Sequence, residues 1–124
     1  MKITLIIGLP ASGKTNLAKR LYPSAYLVDD PVSLLELPKP GQTEHLIITD
    51  PSFCVARTLA FCEKLLYQTY GEVEINHIYF ANDPEQCLKN ASGRVGKMVN
   101  SYISYLTKEY NPPRVDFNVW RENV

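Results

Sequence analysis

Short apolar runs alternate along this chain with stretches whose apolar positions recur every three or four residues. Ile3-Thr4-Leu5-Ile6-Ile7, Ala25-Tyr26-Leu27-Val28, Leu46-Ile47-Ile48-Thr49 and roughly Ile75 to Phe80 read as strands. Between them, Leu17, Ala18 and Leu21 predict a short helix over Lys14 to Leu21, stopped by Pro23. Pro31 opens a single helical turn through Leu34 and Leu35, and Pro38-Lys39-Pro40-Gly41 marks a turn-rich break. A longer helix is predicted from Pro51-Ser52 to Gly71, with Val55, Leu59, Cys62, Leu65 and Leu66 on one side. A short helix follows from Pro84 to about Lys89. From Val95 onward, Val95, Met98, Val99, Tyr102, Ile103, Leu106 and Tyr110 fit an amphipathic helix that Pro112-Pro113 ends.

Continuous apolar strands alternating with helices predict an α/β fold: a small parallel sheet with helices over both faces, in three layers. At 124 residues the chain is read as one domain over 1–124, small for an α/β protein that uses a nucleotide. In such sheets ligands bind beyond the carboxyl ends of the strands. Three polar signals fall there: a glycine loop after the first strand, Asp29-Asp30 after the second and Asp50 after the third.

The loop Gly8-Leu9-Pro10-Ala11-Ser12-Gly13-Lys14-Thr15 has the form G-x-x-x-x-G-K-T, set between strand and helix. Each residue type has a mechanical task. The glycines let successive N–H groups turn toward phosphate oxygens, a lysine neutralises the terminal phosphates, and a hydroxyl ligates Mg²⁺. Gly8, Pro10, Ala11, Ser12, Gly13, Lys14 and Thr15 are therefore the expected ATP-binding residues. Thr15 and Asp50 are the expected Mg²⁺ ligands, with capping of the following helix as the structural alternative for Asp50. Pro51 stands where many ATPases carry a glutamate that polarises water, which favours transfer to an added hydroxyl over hydrolysis. Asp29 and Asp30 are candidates for orienting and deprotonating that hydroxyl; adjacent side chains cannot both reach one atom, so the other is expected to cap the turn at Pro31.

Composition narrows the classes. Thirteen basic residues balance thirteen acidic ones, so no global positive field draws in nucleic acid. Cys54, Cys62 and Cys87 form no CxxC pair and are expected to be reduced thiols; His45 and His77 have no metal-ligand spacing. No stretch approaches a signal-peptide core or a membrane span, and a cytoplasmic location is expected. Tyr26, Tyr79, Tyr102 and Tyr110 fall at apolar positions and are read as core, whereas Trp120 in the tail is a candidate neighbour for an adenine.

The G-x-P-x-S-G-K loop, the Asp-Asp after strand two, the strand ending in Asp50, and the Glu85-x-Cys87 helix before a basic segment together resemble the polynucleotide 5′-kinase-like branch of the P-loop kinases. The pattern is also similar to small nucleotide kinases and zeta-toxin-type kinases. The resemblance runs from Lys2 to about Pro113 and implies Asp29 as the catalytic base. It also implies a lid, about residues 89–97, whose basic residues Lys89 and Arg94 neutralise charge between donor and acceptor. Kinases of this type tend to carry an arginine three residues after the first Asp, where this chain has Val32. Arg57 and Lys97 are the nearest substitutes by chemistry, though both read as surface charges. The implied activity is ATP-dependent transfer of the γ-phosphate to a hydroxyl of a nucleotide or nucleic acid. Variants are transfer to a hydroxymethylated base, as in some virus-encoded relatives of that branch, or to a small molecule. A reading of another class is a non-catalytic nucleotide-binding switch.

Overall fold

The most continuous apolar runs occupy the middle of a parallel sheet, where both faces of a strand are covered. In the computed structural model, which describes residues 1–30, 36–92 and 97–121, β1 (Lys2–Ile7) lies between β3 (His45–Thr49) and β4 (Glu74–Tyr79). With β2 (Tyr26–Asp29) outside β3, the order is β2-β3-β1-β4 and every pairing is parallel. Ile3 to Ile7 and Leu46 to Thr49 are all buried, as double-sided cover requires, while edge strand β4 is only half-buried. The chain is thus a small α/β protein, a four-stranded parallel sheet flanked by helices.

Side-chain alternation along the strands sorts the core into two layers. Ile3, Leu5, Ile7, Leu46 and Ile48 pack with α2 (Ala56–Tyr70), α3 (Pro84–Ala91) and α4 (Lys97–Glu109) through Leu66, Cys87, Ile103 and Leu106. Ile6 and Ile47 point the other way, onto Leu17 and Ala18 of α1 (Lys14–Leu21). The neighbours β1 and β3 therefore send their following helices to opposite faces. That divergence opens a crevice at their carboxyl ends, with the glycine loop and Asp50 on its lips. No helix among the described residues is long and apolar enough to cross a membrane.

The helix expected from Pro51 to Gly71 is in fact two pieces. A 3₁₀ turn (Pro51–Cys54) is separated from α2 by Val55, which is extended at φ −91°, ψ 115°. Phe53, Cys54 and Val55 are all buried. Three consecutive residues of an α-helix spread over about 200°, so a continuous helix would turn one of them to solvent; the break lets all three enter the core. The expected turn through Leu34 and Leu35, the helix start at Val95, and the positions Val32 and Arg94 lie outside the described residues, as do the side chains of Lys97 and Met98.

After α4 the chain returns along the carboxyl end of β4. Asp116 and Phe117 donate backbone N–H groups to Tyr79 O, Ala81 N donates to Phe117 O, and the Arg114 guanidinium lies 5.1 Å from the Tyr79 ring centre. The tail then reaches the glycine loop, where Trp120 N donates to Ser12 O at 2.9 Å. Tyr110 fixes the start of this return: its buried hydroxyl donates to Phe80 O at 2.5 Å, with Ile7 O at 3.3 Å. Tyr110→Phe leaves both carbonyls without that donor. It is expected to cost about 1–2 kcal/mol, seen as a fall of several degrees in Tm with the fold retained.

Candidate functional site

Two glycines set the shape of the loop for different reasons. A Cβ at Gly8 would lie 2.7 Å from Ser12 Oγ and 3.0 Å from Phe80 Cβ, so only glycine lets the chain leave β1 this tightly. Gly13 has φ +103°, and a Cβ there would lie 2.7 Å from Trp120 Cβ. Ala11 is also left-handed at φ 65°, a conformation that costs a side-chain-bearing residue energy and points to a constrained loop. Gly13 at the start of α1 offers no side-chain cap, so the helix begins with N–H groups that lack an intrahelical partner, and its macrodipole favours an anion there.

Lys14 is only 7% exposed. Its ammonium folds back over the loop, donating to Leu9 O at 2.8 Å and Gly8 O at 3.0 Å, with Ser12 Oγ at 3.5 Å. Burial pushes its pKa below the ordinary 10.5, against the pull of Cys54, Asp30 and other acidic neighbours. Among the described residues the hydrogen-bond partners of this buried cation are carbonyl and hydroxyl oxygens, which leaves its charge attractive to an anion.

A cleft of about 370 Å³ opens over this loop, lined on one side by Pro10 to Asn16 and on the other by Asp29 and Asp30. Asp29 ends β2 and accepts a hydrogen bond from Thr49 Oγ1 at 2.5 Å, which fixes one carboxylate oxygen on the neighbouring strand. Asp30 follows at φ 51°, its N–H bonded to Thr49 O at 2.7 Å. Burial, then the charges of Asp50 and Asp29, hold its carboxyl above the ordinary 3.8 despite Lys14. Asp50 accepts from Ser52 N at 2.9 Å, so the capping role weighed for it is realised while its charge still bears on Asp30. Whether the second aspartate caps a turn at Pro31 falls outside the described residues. Lys89 is exposed on the last turn of α3 and does not line the cleft.

Asp30→Asn tests this crowding of carboxylates. A carboxyl whose pKa is raised on folding favours the folded state while protonated, and that contribution disappears as pH rises from about 3.8 through the raised value. Asparagine tolerates the left-handed backbone and removes the charge. At pH 7 the variant should melt about 1–3 °C above wild type, a small gain because the group is exposed and screened, and the difference should vanish below pH 4.

No family model matches the chain. Over 103 residues it is 33% identical to an uncharacterized protein of Acanthamoeba polyphaga mimivirus, with 75% of this chain and 72% of that protein covered. The chain belongs to that protein's family.

In this member of the family, several residues beside the loop escaped the sequence pattern. Asn90 donates to Ala11 O at 3.0 Å and to Trp120 O at 2.6 Å, tying α3, the loop and the tail together. A second cavity of about 300 Å³ shares Gly13 and Asn16 with the cleft and is walled by Leu17, Arg20, Phe117 and Trp120. Tyr102, read as core from its helical spacing, instead lines the cleft and is 39% exposed; Tyr26 is 38% exposed, while Tyr110 is buried as expected. Spacing places Tyr102 about 60° from Val99 around α4, at the margin of the buried stripe, where periodicity alone does not separate core from cleft.

Proposed function

We propose that the chain is an ATP-dependent phosphotransferase of the P-loop kinase type, moving the γ-phosphate to a hydroxyl of a nucleotide or nucleic acid. The observation that carries this reading is a buried, carbonyl-held Lys14 at an uncapped helix start, sharing one cleft with Asp29 and Asp30. ATP would lie across Gly13 and Asn16. Its base would occupy the cavity between Arg20 and Trp120, and its phosphates would follow the loop toward the aspartates. In that pose Lys14 exchanges its carbonyl partners for phosphate oxygens.

Mg²⁺ would accompany the phosphates on this reading. Thr15 and the carboxylates would supply hard oxygen donors, and a divalent cation would relieve the like charge that, after burial, raises the Asp30 pKa. Thr15 and Asp50 would hold the ion, which supplies charge neutralisation on the phosphates. Asp29, with one oxygen fixed by Thr49, orients the acceptor hydroxyl and takes its proton as the new O–P bond forms and ADP leaves. On this reading the charge expected from Arg94 and Lys89 would add to that of Lys14.

Calorimetric titration of the full chain with ATP in Mg²⁺ tests the donor half of this reading. Saturable one-to-one binding, weakened for adenosine and again for tripolyphosphate alone, is the expected result. Absence of ATP binding would overturn it.

A further inference from the structure

Part of the cleft wall is apolar: Pro51, Val99 and the ring of Tyr102 line it together with the loop and the two aspartates. α4 has its buried stripe in Ile103, Leu106 and Tyr110, and Tyr102 stands just outside that stripe with much of its ring uncovered. Among the described residues, Lys14 is the cation lining the cleft, and it belongs to the loop end. A neutral, flat group would meet an aromatic face. Burial and the neighbouring Asp50 and Asp30 push the Tyr102 phenol up from 10, so at neutral pH it keeps its proton as a donor.

Resting on the kinase reading and adding the acceptor's class to it, we infer that this apolar part of the cleft wall receives a nucleoside-type acceptor whose nucleobase stacks on Tyr102, with Val99 and Pro51 beside it, so that its hydroxyl faces Asp29. Stacking on an aromatic side chain tolerates any base and is strong enough to dominate binding of a single nucleoside unit. Tyr102 is a binding residue here and takes no part in proton transfer.

The test uses the full chain with its donor site saturated by ADP and Mg²⁺. Calorimetry compares a 5′-hydroxyl dinucleotide with the same molecule lacking its 5′ base, for wild type, Tyr102→Leu and Tyr102→Phe. Wild type and Tyr102→Phe should bind the intact dinucleotide about 5- to 100-fold more tightly than the abasic one, and Tyr102→Leu should bind both equally weakly. Equal affinity for the two ligands in wild type, or discrimination retained in Tyr102→Leu, would overturn the inference. Labelled γ-phosphate transfer to the same ligands separates it from the reading beneath: the binding contrast without transfer retains the nucleobase platform and rejects the kinase. Transfer to both ligands with equal KM retains the kinase and rejects the platform.

Discussion

Lys14→Met is expected to lower phosphoryl transfer by at least two to three orders of magnitude and to remove the thermal stabilisation that ATP and Mg²⁺ confer on the wild-type chain. The methionine keeps the aliphatic stem in its buried place, so the loop retains its packing while the charge aimed at the phosphates is gone. Wild type with ATP at 100 times its Kd gains about 2.7 kcal/mol, which raises Tm by several degrees; the variant should show almost none of that rise. Without ligand, the two proteins should diverge with pH. Because folding lowers the Lys14 pKa, the folded state sheds its proton before the unfolded one, and wild-type stability climbs as pH rises from the lowered value to 10.5. The variant lacks that climb. Melting curves from neutral to alkaline pH, with and without ATP, measure both effects.

Asp29→Asn is expected to lower transfer by about 10²–10⁴-fold while leaving ATP affinity within a few-fold of wild type. The substitution is nearly isosteric, and its amide oxygen can still accept from Thr49 Oγ1, so the strand end is preserved and only the basic oxygen is lost. Asp30→Asn provides the control on the same cleft: if Asp29 is the base, the neighbouring change costs much less transfer than Asp29→Asn does. A nucleotide-operated switch would respond differently, since neither aspartate would be needed once ATP had bound. Single-turnover transfer and ATP titration on both variants distinguish these roles.

The sequence made three strand ends legible because the apolar runs stop abruptly, the first at Gly8, the second at Asp29 and the third at Asp50. Asp29, Asp30 and the glycine loop accordingly meet in one cleft, as their positions after β1 and β2 required. The strand order was not legible, since a parallel sheet buries all its central strands alike and pattern alone does not rank them. Pro51-Ser52 read as a helix start because proline is common there, but three successive buried residues then forced a break at Val55. The tail carries no periodicity, and its role depends on main-chain bonds from residues such as Phe117 and Trp120, which any sequence offers. Asn90 follows the end expected for the helix from Pro84 and matches no motif, and its two carbonyl partners are brought near only by the fold.

Transfer of the labelled γ-phosphate of ATP, in Mg²⁺, to a panel of hydroxyl acceptors tests the central claim most directly. The panel comprises 5′-hydroxyl DNA and RNA oligonucleotides, DNA with hydroxymethylated bases, and free nucleosides and nucleotides, with Lys14→Met as the blank. The account predicts label on a base-bearing acceptor, absent from the blank and greatly reduced in Asp29→Asn. ATP bound tightly by the wild-type chain with no acceptor labelled would contradict it and leave the nucleotide switch as the better reading.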